Sequence, residues 1–502
     1  MNQVRPRGLS RRRFLLVSSA AIGASLAPAL GPAVVLGRTP DDAGKRISER
    51  AWRELTRQLS GQVLRPGDPT FADVARPNNL RYAKTMPAGI ARCRANGDVA
   101  QAILWCREHD VPLAARSGGH SYAGFSTTRG LMIDVGSMNA AKFNPAEGTV
   151  TIDGGARNGD LYRALRPTNM TMTHGRCPTV GAAGFLLGGG IGFNMRAHGI
   201  GCDQLIATDI VTADGKLRTV SANDDLFWAC CGGGGGNFGI NTSFTLQTFP
   251  TAPLTVFRMR WTANAEEVFA ALMRALDAAP ATLGTRISLG APTPRQRSEK
   301  RDVTVSLLGQ FKGTARELAD ILAPVASAQN TEIFEKSYWD GQDFLAEPGP
   351  PEYYQERSTF LTGPLDSRAL GTAFDWLRRW PGTSVGADLR FFQTGGKINE
   401  RPAEATAYVH RNNRWVMLVG LNWEAHDPPD LLRQNHEWQD AFYQAMLPYG
   451  TGGAYQNFVD PSLKDWDRAY YGANLDRLRR VKAEVDREMV FRFAQAIPPA
   501  KY

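Results

Sequence analysis

Three stretches of this chain put nucleophiles or bare backbone where a ligand can be held. The first is Arg116-Ser117-Gly118-Gly119-His120-Ser121-Tyr122. Paired glycines let a backbone come close to a phosphate, and successive N–H groups of such a turn form a nest for an anion. A histidine closing that turn stands beside whatever the nest holds. The second is His174-Gly175-Arg176-Cys177-Pro178-Thr179-Val180-Gly181, which runs through Gly184 into Leu187-Gly188-Gly189-Gly190-Ile191-Gly192. So many glycines around one cysteine imply backbone contact with a flat ligand and not core packing. Arg176 and His174 flank the thiol, a setting that favours the reactive thiolate. The third run, residues 232–239, contains a GxGxxG spacing at Gly234, Gly236 and Gly239. A dinucleotide turn of that pattern must open a helix whose N-terminus meets the pyrophosphate. Here a β-branched run beginning at Ile240 follows, so the Rossmann reading fails.

These turns need rigid elements on either side. Residues 111–116 (VPLAAR) read as a short buried strand entering the His120 turn, after a helix over 98–110 with Asp98 as its N-cap. Residues 131–135 (LMIDV) and 149–153 (TVTID) read as strands, and 158–165 (NGDLYRAL) as a helix. Two more strands, 206–212 and 241–247, bracket the third glycine run. Beyond Pro250 and Pro253 the composition shifts. A helix over 265–279 and strands such as 303–311 and 414–423 suit a second domain with an antiparallel sheet covered by helices. A charged helix around 474–486 closes the chain. The expected fold class is α+β.

Composition narrows the function. The formal charge is +9, but six of those charges are arginines within residues 1–38, where no acid occurs. The remainder is close to neutral, which gives no reason to expect a nucleic-acid partner. Ser10-Arg11-Arg12-Arg13-Phe14-Leu15 resembles the twin-arginine motif of bacterial export, and the apolar stretch after it is broken by Pro28 and Pro32. That pattern reads as a removable leader over 1–38, leaving no stable membrane anchor and a periplasmic or secreted protein. The route carries folded proteins, commonly ones loaded with a cofactor. Six cysteines without a CxxC pair make neither a disulfide scaffold nor a zinc site, and no metal is expected.

In their order the three motifs resemble the FAD-binding half of the vanillyl-alcohol-oxidase (PCMH-type) superfamily, and within it the berberine-bridge-enzyme-like oxidases. Two blocks near the C-terminus extend the resemblance: Ala454-Tyr455-Gln456-Asn457-Phe458-Val459-Asp460 and Tyr470-Tyr471-Gly472-Ala473-Asn474. The resemblance implies covalent FAD. His120 matches the histidine that bonds the flavin 8α-methyl, and Cys177 the cysteine that bonds C6, two positions on one edge of the ring. It implies a cofactor set of Arg116, Ser117, Gly118, Gly119, His120, Ser121, Cys177, Thr179, Val180, Gly181, Gly184, Gly189, Gly190, Gly192, Gly239, Ile240, Asn457 and Asn474. It divides the chain after the leader into an FAD-binding domain (39–250), a substrate domain (251–445) and a C-terminal segment (446–502) that returns to the first.

The reaction implied is hydride transfer from a small organic substrate to FAD, with O2 as the electron acceptor. Base work requires a group within hydrogen-bond reach of the proton that leaves. Many members use a tyrosine where this chain has Phe458. Tyr122, Tyr455 and Tyr408 are the candidate catalytic residues that remain. Phe392, Gln393, Tyr408 and Trp423 are expected to face the flavin from strands. Val180 matches a position beside the flavin where valine accompanies oxidases and leucine accompanies relatives that exclude oxygen. A dehydrogenase with another acceptor, or a flavin-bearing binding protein, are the alternative readings.

Overall fold

Two small sheets carry the glycine-rich turns, and one large sheet faces them. The computed structural model describes residues 47–501; the expected leader, 1–38, lies outside the described residues. The first sheet joins β1 (Gln62–Leu64), β2 (Gly89–Arg92), β3 (Leu113–Arg116) and β4 (Leu131–Asp134) in the order β1-β2-β4-β3, with β3 and β4 parallel. Next along the chain come β5 (Ala141–Asn144), β6 (Thr149–Asp153), β7 (Met170–Thr171), β8 (Leu205–Val211), β9 (Leu217–Ser221), β10 (Ile240–Gln247) and β11 (Phe249–Pro250). Of these, β7 and β11 form a two-stranded ribbon, and the others a sheet ordered β5-β6-β10-β8-β9.

The helix before β3 spans Asn96–Glu108, two residues earlier than expected, and Ala95 is its N-cap. Asp98 is therefore inside the first turn. Its carboxylate is spent on other chain segments, accepting from the amides of Ser60, Gly61 and Arg94. Such an acid in a helix's first turn also complements the helix dipole.

The large sheet is antiparallel throughout. It contains β12 (Leu254–Trp261), β13 (Leu283–Gly290), β14 (Thr304–Phe311), β15 (Asn330–Lys336), β16 (Tyr353–Leu361), β17 (Gly386–Gln393) and β18 (Trp415–Trp423), ordered β15-β12-β14-β13-β17-β18-β16. Side chains alternate between its two faces. On one face Ile287, Leu289, Phe391, Met417, Val419 and Leu421 pack under helices such as Ala265–Asp277, Ser367–Arg378 and Pro429–Met446. On the other, Val256, Leu308, Phe360, Val416 and Leu418 join a core shared with the glycine-rich segments and with Tyr455, Tyr470 and Tyr471. The C-terminal segment thus packs into the first half of the chain. Among the described residues no helix is long and apolar enough to cross a membrane.

Candidate active site

The His120 turn and the Cys177 turn meet. A Cβ on Gly118 would overlap the amide nitrogen of Gly181, and a Cβ on Gly181 would overlap that of Gly118. Only glycine at both positions lets the backbones touch. Past this contact, His120 Nε2 lies 3.0 Å from Thr179 Oγ1, and Cys177 Sγ lies 3.1 Å from the same oxygen. Burial, reinforced by Arg157 and Arg116, draws the His120 pKa down to about 4. The imidazole is therefore neutral at physiological pH and keeps a lone pair. Cys177 is half-buried, whereas the other five cysteines are buried. The residues flanking it are engaged elsewhere: Arg176 pairs with Glu347, and His174 Nε2 lies 2.9 Å from the Tyr338 hydroxyl. The sulfur's own contact is the Thr179 hydroxyl.

The same turn exposes donors. Among the described residues the amide N–H groups of Gly118, Gly119, His120 and Ser121 meet no acceptor, and Ser117 Oγ is buried without a partner. Four unpaired donors around a glycine at φ 76° are what an anion nest requires. Below them, Gly189 and Gly190 both have positive φ. Gly190 donates its N–H to the Tyr455 hydroxyl at 2.9 Å, and Asn457 Nδ2 donates to that oxygen and to Phe185 O. Gly192 lies against His174 O so closely that a Cβ would overlap it, and Gly184 is exposed. Thr179 and Val180 are half-buried beside them. Unpaired amides, glycine edges and two nucleophiles on one rim fit the flat, diphosphate-bearing cofactor that the motifs imply.

Other members of the expected set stand behind this rim. Arg116 gives its guanidinium to the carbonyls of Val74, Ala75, Arg76 and Ser126, buttressing the turn from within. Asn474 Nδ2 donates to Ala403 O and Thr406 O. Gly239 crowds Val211 O, and Ile240 opens β10, the strand that excludes a Rossmann turn.

Opposite lies the inner face of the large sheet. Tyr354 of β16 meets the Tyr122 ring edge-on at 5.0 Å, Tyr122 stacks on Phe458 at 5.3 Å, and Phe458 touches Phe392 of β17 at 5.8 Å. Within this aromatic border Arg390 binds Glu356 at 2.7 Å and Asp388 at 2.7 Å. Gly420 of β18 is paired with both Glu356 and Asp388, and its missing side chain leaves the room in which the three charges meet. Arg286 of β13 shares the face, and its buried Nε has no partner. Burial, with Arg176 and Arg390, lowers its pKa to about 10, which keeps it charged.

Two expected wall residues are corrected by register. Gln393 neighbours Phe392 and so points to the helical side, bonding Thr285 Oγ1 and Leu276 O. Trp423 packs in the helix-covered core against His436. Tyr408 is in a loop and not a strand; its ring is buried against Gly189 and 6.3 Å from Tyr455. Burial raises the phenol pKa of Tyr122, Tyr408 and Tyr455. Sequence reasoning missed Glu356, Asp388, Arg390 and Arg286. The available signal was charge inside apolar strands.

Comparison with known proteins places this geometry. Residues 87–221 match a family model described as an FAD binding domain, and 454–498 match one described as berberine and berberine like. The chain is 33% identical to YgaK of Bacillus subtilis, an uncharacterized FAD-linked oxidoreductase, over 88% of this chain and 98% of that protein. It is 30% identical to a glucooligosaccharide oxidase of Sarocladium strictum, covering 82% and 87% of the two chains. The xylooligosaccharide oxidase of Myceliophthora thermophila, solved with xylobiose, superposes with a TM-score of 0.79 at 25% identity, over 90% of this chain and all of the other.

Proposed function

The chain belongs to the berberine-bridge-enzyme-like FAD-linked oxidoreductases, and from that premise we propose that it oxidises a hydroxyl of a small carbohydrate and hands the electrons to O2. Bound in the cleft, FAD supplies the hydride acceptor. His120 and Cys177 hold its benzenoid edge covalently, and the unpaired amides of residues 118–121 bind its diphosphate. The observation that carries the attachment is the meeting of His120 and Cys177 on Thr179 Oγ1. Relatives named for oligosaccharide oxidation support the substrate class. So does the wall, where Tyr122 and Phe458 offer ring faces and Arg286 offers an unpaired donor to a hydroxyl. Tyr122 lines the substrate, while Tyr455 and Tyr408 brace the glycine turns.

In this reading residues 39–250 and 446–502 hold FAD, residues 251–445 hold the substrate, and Arg11-Arg12 direct export of the loaded protein. Denaturing acid should leave a yellow precipitate, with a mass exceeding the chain by one FAD. Single His120→Ala and Cys177→Ala variants should each keep one link, and the double variant should release free FAD. Glucose, cellobiose, xylobiose and chitobiose should then be screened for steady peroxide formation. A colourless precipitate refutes the attachment; a yellow enzyme whose flavin no sugar reduces refutes the substrate class.

A further inference from the structure

Glu356 sits in the middle of β16 and is 6% exposed. Its Oε1 accepts from Arg390 Nη1, whereas Oε2 is buried with no hydrogen-bond partner among the described residues. Leaving a charged acceptor unsatisfied forfeits its hydration with nothing in return. An orphan of this kind at a substrate wall points to a hydrogen bond that only the ligand completes.

Its position is specific. Tyr354 precedes Glu356 by two residues on the same face, and Phe392 follows Arg390 by two on β17. These are the end members of the border Tyr354–Tyr122–Phe458–Phe392. The Glu356–Arg390 pair therefore shares the sheet face of the two end rings of the border that contains Phe458, the position where a phenol is missing. Glu356 is close enough to Tyr122 for its charge to oppose a phenolate there. Of the two, the carboxylate holds the negative charge. Tyr455 is committed to Gly190 and Asn457.

We propose that Glu356 Oε2 accepts the proton of the substrate hydroxyl, in place of a phenol at Phe458; this rests on the carbohydrate reading above. The carbinol carbon loses its C–H bond as a hydride to the bound flavin, the oxidant. The O–H proton passes to Oε2, and the remaining C–O becomes a carbonyl. Arg390 is a positioning residue. It fixes Oε1 and Asp388, so that one guanidinium faces two carboxylates and Oε2 stays unpartnered.

The acid limb of the reaction follows from the groups around Glu356. Burial raises its pKa, Arg390 opposes that, and Asp388 and Glu347 raise it further, with Tyr122 and Tyr354 the neighbouring phenols. The ionised form is the acceptor, so flavin reduction slows as pH falls through a value above the ordinary carboxylate range.

The test uses the holoenzyme with cellobiose and xylobiose in anaerobic stopped flow across pH. Glu356→Gln should slow flavin bleaching by about 100- to 10,000-fold and abolish the acid limb. Reoxidation of the photoreduced flavin and the spectral change on sugar binding should persist. Glu356→Asp, which keeps the carboxylate, should retain a reduced rate with an acid limb. Infrared difference titration should show a carboxylic-acid C=O band that titrates above the ordinary range in the wild type and is missing from Glu356→Gln. Bleaching of Glu356→Gln at the wild-type rate with its acid limb intact overturns the proposal, as does absence of the band. Failure of both sugars to bleach the wild type overturns the carbohydrate reading, and this step with it.

Discussion

His120 and Cys177, from turns far apart in sequence, meet on one hydroxyl: Thr179 Oγ1 is 3.0 Å from the imidazole Nε2 and 3.1 Å from the sulfur. One hydroxyl has a single proton to donate, so it cannot satisfy both as acceptors. It orients the imidazole and places the sulfur on the same rim. Thr179→Val keeps the shape and removes the oxygen. We predict normal folding with a several-fold smaller fraction of doubly linked FAD, read by intact mass. Full double attachment at the wild-type rate would show that the hydroxyl is incidental.

Val180 follows this hydroxyl and is half-buried at the rim. Leucine is larger by one methylene, and in a confined space that is enough to exclude a small molecule. Reduced wild-type flavin should reoxidise quickly in air, and Val180→Leu should slow that step while leaving reduction by sugar nearly unchanged. Stopped flow after photoreduction measures the oxygen step without any substrate. Sluggish wild-type reoxidation, unaltered by the substitution, would favour a dehydrogenase.

His174 and His410 should set part of the acid stability. Burial draws their pKa values down to about 4 and about 3. An unfolded histidine titrates near ~6.5. Between these values the unfolded chain binds protons that the folded chain refuses, so stability rises with pH there and is level above. The free energy of unfolding in urea should fall as pH drops from about 6.5 toward 4, by on the order of 3 kcal/mol per histidine at most. His174→Gln, which removes one of the two groups, should make that slope shallower. An unchanged slope would mean that His174 titrates normally.

Lys482 and Asp486 form a fully buried pair at 2.6 Å, and Lys482 Nζ also donates to Asn237 O at 2.6 Å and Phe491 O at 2.9 Å. Lys482→Met strands the Asp486 charge and frees the third glycine run. We expect a loss of about 3–5 kcal/mol, with much of it recovered in Lys482→Met/Asp486→Leu. Chemical denaturation decides the matter: a single variant no less stable than the double would refute it.

Local patterns were legible in the sequence. Residues 149–153 and 158–165 form the strand and helix that their own alternation and turn residues specify. The close backbone approach of the turns that carry His120 and Cys177 was also legible, because glycine clusters mark such approach. Facing was not. Tyr353–Leu361 has almost no exposed–buried alternation, being covered on both sides, so nothing in YYQERSTFL says which way Glu356 points. Gln393 was misread for a related reason: its direction depends on pairing with β18, a strand 22 residues further on. Asp98 resembled a cap because aspartate is common there, but its carboxylate answers a loop 38 residues earlier.

Gly420 has an implication for how this enzyme can change over generations. Any side chain there would push into the Asp388 carboxylate and the Arg390 guanidinium, which are tied to Glu356 across the strand. Replacing one member of the trio strands a charge in a dry wall, and enlarging the glycine pries the trio apart. A lineage moving to a new substrate therefore cannot reach it by independent single steps at these four sites. They form one inherited unit, exchanged together or kept.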